Sequence, residues 1–118
     1  MPQNPNPVRI RIRSTSGEFY AMGPGKAELL VAIQDTGSIA AAGRKMGMSY
    51  QKTRQLVDEM NTCFVAPLVE GFKGGAQGGG THLTPVGQDV LERFLAMQAR
   101  AEASIGAELE AFQALLAR

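Results

Sequence analysis

One cysteine, Cys63, and one histidine, His82, are all this sequence offers for disulfide or soft-metal chemistry. A lone cysteine builds no disulfide framework, and the two residues together cannot complete a four-ligand zinc site. No apolar run approaches the ~20 residues of a bilayer span, and the opening MPQNPNP does not read as a secretory leader. The carboxylates fall mostly on solvated helix faces, so no nucleophile, base and orienting group come together as a catalytic set. Glycine is plentiful, but the tract GGAQGGG (Gly74 to Gly80) lacks the lysine-hydroxyl ending of a phosphate cradle, and Gly25-Lys26 lacks the spaced upstream glycine. The expectation is a cytoplasmic chain that is not an enzyme, with no metal or other cofactor and no membrane partner. At 118 residues and 44% hydrophobic content, it can bury one core and not two.

What the sequence does hold is concentrated in TGSIAAAGRKMGMSYQKTRQLVDEMN, Thr36 to Asn61. Thr36-Gly37 can end a helix, since glycine takes the left-handed conformation without a Cβ clash. Ser38 is placed to N-cap the next helix, Ile39 to Met46, in which Ile39, Ala42 and Met46 line one stripe. Gly43 is small where two helices must cross closely. Gly47 sits at the turn, Met48 fills the space between the helices, and Ser49 caps a third helix. There Thr53, Leu56, Val57 and Met60 face inward. Tyr50, Gln51, Lys52, Arg54 and Gln55 are left to point elsewhere. Two short helices, a tight turn and one polar, basic face describe a helix-turn-helix, whose second helix usually enters the major groove of DNA.

The flanking segments supply supporting parts. After a Pro- and Asn-rich arm (1–7), VRIRIR from Val8 to Arg13 alternates strictly and predicts a strand with Val8, Ile10 and Ile12 inward. A turn over Ser14 to Gly17 and a returning strand over Phe19 to Met22 would complete an N-terminal hairpin, 8–22. Gly23-Pro24-Gly25 precedes a helix from about Lys26 to Asp35, with Leu29, Leu30 and Ile33 inward. Pro67 breaks the chain after the helix-turn-helix (38–62). Leu68-Val69-Glu70 and Thr81 to Leu83 then predict a two-stranded wing, 68–84, around the glycine tract. Thr84-Pro85 opens a last helix (85–118), with proline at its first position.

That helix carries Val90, Leu91, Phe94 and Leu95, and then Ile105, Leu109, Phe112 and Leu116, at helical spacing. Its first turns can pack on the domain, but a chain this small cannot cover the remainder. A second copy is the expected cover, which makes these residues a dimer interface. Gly106 weakens the helix and marks a place for a kink or break. The fold class is therefore mainly α with small β: a winged helix-turn-helix with an N-terminal β-hairpin and a long C-terminal dimerisation helix.

The net charge is only +1, but its distribution is uneven. Between Arg44 and Arg54 stand four cations (Arg44, Lys45, Lys52, Arg54) and no carboxylate, and the first strand adds Arg9, Arg11 and Arg13. Past Gly74 the balance turns acidic. A local positive field suits a protein that binds phosphates through one face, although charge runs commonly mark nothing more than a solvated surface.

From about Gly23 to Leu116 the chain resembles the N-terminal DNA-binding domain of the ModE-type molybdate-dependent regulators, which is related to the LysR-type winged helix. The likeness lies in TGSI, GMSY, DEMN, PLVE, the glycine tract and LTPVG, in that order. The resemblance implies a homodimer on double-stranded DNA with a two-fold-related site. The third helix would enter the major groove, with the wing on the flanking backbone or minor groove. It assigns phosphate contacts to Ser38 and Ser49, and DNA contacts to Tyr50, Gln51, Lys52 and Arg54; Tyr50 is equally suited to anchoring its helix. Arg44 and Gln55 join them from the basic face, and Lys73, Gly74 and Gly75 are the counterparts in the wing. Hydroxyls and helix N-termini suit phosphates, while Gln and Arg can read adenine and guanine edges. The wing departs from the family pattern, with Gly71 where an arginine is expected and Gln77 where a cation is common. The sequence also ends at Arg118, short of the oxyanion-binding domains of molybdate-responsive members. A sequence-specific regulator without its own molybdate sensor is thus expected, controlled by abundance or by a separate sensor partner. The alternative is a winged-helix protein-protein interaction module that does not bind DNA.

Overall fold

Side-chain caps at Ser38, Ser49 and Thr84 start three of the helices, and Gly37 closes the first. The computed structural model describes residues 6–73 and 79–118. Strands β1 (Ile12–Arg13) and β2 (Tyr20–Met22) pair antiparallel and lead into helices α1 (Pro24–Thr36), α2 (Ile39–Lys45) and α3 (Tyr50–Cys63). A second antiparallel pair, β3 (Val69–Phe72) and β4 (Gly80–Leu83), is followed by α4 (Pro85–Ser104) and α5 (Gly106–Gln113). This is a winged helix-turn-helix with an N-terminal hairpin, mainly α with small β.

The predicted caps form. Gly37 closes α1 in the left-handed conformation (φ 71°), its N–H donating to Ile33 O. The side chains of Ser38, Ser49 and Thr84 accept from Ala41, Lys52 and Gly87 N–H, at 3.0, 3.1 and 2.9 Å. Each such cap stabilises its helix by about 1 kcal/mol. Helix α1 begins two residues before the expected Lys26, because Pro24, with no N–H to satisfy, starts it.

One core serves the whole molecule. Leu29, Leu30 and Ile33 of α1 meet Ala42 of α2, Val57 and Met60 of α3, and Leu68. Helices α2 and α3 approach most closely at Gly43, where an added Cβ would lie 3.1 Å from Thr53 Cβ and collide with its Oγ1. Thr53 is fully buried, and its hydroxyl donates to Ser49 O at 2.8 Å. Polar side chains fasten the non-helical segments. Asn61 Oδ1 accepts from Leu68 and Val69 N–H at 2.9 and 3.0 Å, while its Nδ2 donates to Val69 O at 2.9 Å. Thr84 Oγ1 donates to Pro67 O at 2.7 Å, and a Cβ on Gly87 would lie 3.2 Å from Leu68 Cα.

Two sequence expectations are corrected. The strand expected over Val8 to Arg13 is reduced to Ile12–Arg13, and Ile12 is exposed. Val8 and Ile10 are half-buried, but their backbone is paired to a side chain: Gln98 Nε2 donates to Val8 O, and its Oε1 accepts from Ile10 N–H. An extended segment so satisfied has no need of a partner strand. The C-terminal helix breaks at Ile105, beside the Gly106 where a kink or break was expected, and residues 114–118 lie outside both halves. Within it Leu91 and Phe94, expected at a dimer interface, are each 96% buried in this chain's own core, and Val90 is half-buried against it. Leu95, Ile105, Phe112 and Leu116 are exposed, and Leu109 is half-buried.

Overpacking the α2/α3 crossing should be costly. Gly43→Ala is expected to lower stability by about 1–3 kcal/mol in urea unfolding. Combined with Thr53→Ala it should cost less than the two single changes summed, because the second change removes the colliding atoms. Strict additivity would show that the crossing is not limited by this contact.

Candidate nucleic-acid interface

Helix α3 buries Thr53, Val57 and Met60 and turns its other face to solvent. Tyr50, Gln51, Lys52, Arg54 and Gln55 are all exposed on its first turns, Tyr50 by 56%, so Tyr50 does not anchor the helix. Leu56, expected in the core, is half-buried at its edge. The exposed side chains form a shallow depression of about 810 Å³ that begins at Ser49 and runs past Gln55 to Asp58, Glu59 and Thr62. The face therefore has polarity along its length. Cations and amides occupy the N-terminal turns and carboxylates the later ones. Arg54 Nε pairs with Asp58 Oδ1 at 3.3 Å, and Gln55 Nε2 donates to Glu59 Oε2 at 3.2 Å.

The other expected DNA contacts are dispersed around this helix. Ser49 is exposed at its N-terminus, and Ser38 is half-buried, both with the hydroxyl oxygen engaged as a cap. Arg44 is exposed in the last turn of α2. Lys45, counted in the same basic run, faces α1 instead and sits 3.7 Å from Asp35 Oδ2. Lys73 is exposed just past β3, and Gly74, Gly75 and Gln77 lie outside the described residues. The wing base is fixed to the helix-turn-helix by Thr81 N–H, which donates to Gly37 O at 2.9 Å. On the wing itself Phe72 stacks on His82 with ring centroids 5.1 Å apart, and His82 Nε2 lies 3.4 Å from Glu70 Oε2.

A second groove, of about 940 Å³, adjoins the first and shares Lys52 and Glu59 with it. Its far wall is the N-terminal segment, with Arg9, Arg11 and Arg13. The charge count pointed to these arginines, but the sequence did not place them beside α3. At the groove floor Lys26, nearly buried, is 2.9 Å from Glu59 Oε1, donates to Tyr20 O at 2.6 Å and lies over the Phe19 ring. Burial raises the Glu59 carboxyl, but hydrogen bonds from Lys26 and Gln55 and the charges of Lys26 and Lys52 together outweigh it, so its pKa is lowered. Among the described residues no group of three His, Cys, Asp or Glu could hold a metal ion, and no helix is long and apolar enough to cross a membrane.

These elements define a winged helix-turn-helix domain, and the solved structures agree. The chain superposes on the CbnR DNA-binding domain, solved as a complex with DNA, with a TM-score of 0.55 at 20% identity, over 74% of this chain and 94% of that one. That neighbour shares the LysR-type helix-turn-helix fold. The sequence relatives are the ModE-type regulators and their kin. The molybdenum-pterin-binding protein MopB of Rhodobacter capsulatus is 42% identical over 78 residues, 66% of this chain and 29% of that protein. The molybdenum transport protein ModE of Azotobacter vinelandii is 31% identical over 107 residues, 81% of this chain and 40% of that one. The DNA-binding transcriptional dual regulator ModE of Escherichia coli is 35% identical over 71 residues, 60% of this chain and 27% of that one. The chain thus spans 27–40% of the length of these curated relatives. No protein-family model matches it.

A carboxyl whose pKa is lowered by folding stabilises the protein above its ordinary value, 4.5 for Glu59, and that contribution is lost as pH falls through the lower folded value. Urea unfolding should therefore find wild type and Glu59→Gln further apart at pH ~7 than at pH ~3. An equal gap at both pH values would mean that the ion pair with Lys26 contributes nothing to stability.

Proposed function

We propose that this chain is a sequence-specific DNA-binding transcriptional regulator of the ModE type, acting as a cytoplasmic homodimer and not as an enzyme. One observation carries the reading: the first turns of α3 present Tyr50, Gln51, Lys52, Arg54 and Gln55 to solvent while the opposite face is locked into the core. The N-terminal half of α3 enters the major groove, where Gln51 and Arg54 can reach base edges and Lys52 a phosphate. Ser49 and the helix N-terminus approach the backbone. The wing, with Lys73, lies on the flanking strand. The names of the relatives support regulation of transcription. Molybdenum-pterin binding, stated in the name of MopB, is not carried over to a chain that spans 29% of that protein.

The second copy is assigned to the C-terminal helices. Helix α5 has no buried residue, and Phe112, Leu115 and Leu116 are exposed by 62%, 84% and 54%. An isolated helix of this length is marginal in water, so an apolar partner surface is needed to hold it. The same helices from a second chain, together with Leu95 and Ile105, supply one in a two-fold arrangement.

Selection from random duplexes at two salt concentrations should enrich a two-fold-related site with half-sites about one helical turn or a small multiple apart. Enrichment of nothing, at either salt, would favour the protein-protein interaction module instead. Arg54→Ala should cost on the order of 1–3 kcal/mol and relax preference at one position per half-site. Light scattering should give a dimer for the wild type and a monomer for Phe112→Glu/Leu116→Glu. A dimer that survives both changes would place the interface elsewhere.

A further inference from the structure

We propose that the N-terminal hairpin is a second DNA-binding element, an arginine clamp on the phosphate backbone beside the groove that α3 occupies. This rests on the DNA-binding reading above and adds to it a contact outside the helix-turn-helix and its wing.

The arrangement begins in the β1/β2 pairing. Ile12 pairs with Met22 and Arg13 with Tyr20, so Ala21 is an extra residue in β2 and the ladder is bulged there. Arg13 therefore stands directly across from Tyr20, and its guanidinium lies over the Tyr20 ring, 4.9 Å from the centroid. Arg11, two residues earlier, brings its guanidinium over the same ring at 5.3 Å. Two like charges lie against one aromatic ring, which the ring quadrupole favours and mutual repulsion opposes. Each is also held by its stem or its hydrogen bonds. Arg11 Cγ packs where a Cβ on Gly23 would lie 3.2 Å away, and Arg13 Nη1 donates to Gly17 O at 3.2 Å.

Neither guanidinium has a carboxylate partner among the described residues, whereas Arg9 pairs with Glu28 and Lys26 with Glu59. The groove that Arg11 and Arg13 wall is closed on the other side by Lys52 of α3. Three cations without an ion pair among the described residues thus border one open groove, which Glu18 and Glu59 also line and which is continuous with the exposed face of α3. A pre-ordered pair of guanidinium groups loses less side-chain freedom on binding, and each presents a planar fork that matches phosphate oxygens. The ligand that fits is a stretch of duplex backbone running from α3 towards the hairpin. Phosphates carry no sequence information, so this contact adds affinity and salt dependence without changing the preferred site.

The test uses the full chain on a duplex selected with the wild type. Arg11→Gln/Arg13→Gln keeps the Arg11 stem on Gly23 and removes both charges, and Arg11→Lys/Arg13→Lys keeps the charges. The glutamine pair should make the plot of log affinity against log salt shallower by about one per arginine, and weaken binding ~10-fold or more at low salt. The lysine pair should recover most of the slope. The order of preference among site variants should be unchanged in both, and Arg100→Ala, on α4, should match the wild type. If the glutamine pair keeps the wild-type slope and affinity, or alters base preference without altering the slope, the clamp is refuted while the DNA-binding reading stands. If the wild type binds no duplex, both fall.

Discussion

Helix α3 is aimed by its contact with α2, where Gly43 contributes no side chain and Thr53 fills the space between them. At Gly43 the two helices approach so closely that even a methyl group has no room beside Thr53. The residue that fills the other side of the crossing is itself polar, and its hydroxyl is satisfied one turn back at Ser49 O. Thr53 therefore adds volume to the contact without leaving an unpaired donor in the core. A threonine at this position fixes two things at once: how deep α3 sits and how it is rotated about its axis. Rotation decides which side chains α3 presents to solvent. A helix held by a looser apolar contact would let its outward face swing.

From that crossing the structure extends outward through polar clamps. The short strands and loops bury backbone groups that helices would satisfy internally, and side chains take up several of them. Asn61, at the end of α3, uses three hydrogen bonds to seat the start of β3. Thr81 ties β4 to the C-cap of α1, and Thr84 closes the wing while it starts α4. Gln98, one turn beyond the core residue Phe94, holds the arm at Val8 and Ile10. The wing and the hairpin are thus held by fixed hydrogen bonds together with apolar packing, through Met22 of β2 and through Val69 and Leu83 of β3 and β4, so they share one frame with α3.

This division explains what could be read in advance. The helices, their caps, the left-handed Gly37 and the inward set on α3 follow from local rules, in which a residue acts on neighbours three or four positions away. Long-range polar pairing does not. Gln98 is 88 residues from the Ile10 N–H it satisfies, so strict alternation in VRIRIR suggested a longer strand than forms. Lys45 lies within a run of cations yet faces Asp35, because α2 is short and its last turn borders α1. Leu91 and Phe94 belong to the same helical stripe as Leu95, but spacing alone could not say where the protomer core ended. The groove between the hairpin and α3 was invisible for a similar reason: its two walls are about 40 residues apart in sequence and meet only through the fold.

A net charge of +1 is a weak global field, and it need not be otherwise, because the charge is sorted by position. Along α3 the cations come first and Asp58 and Glu59 follow, with Lys26 drawing Glu59 towards the groove floor. The helix dipole adds positive character at the same N-terminal end. The positive end of this face is therefore its first two turns, and the carboxylates beyond them are drawn to Arg54 and Lys26. On the hairpin side Lys52 faces Arg11 and Arg13 across the adjoining groove. Charges sorted in this way fix where the positive end of the exposed face lies, while the tight crossing at Gly43 fixes which side chains that face presents.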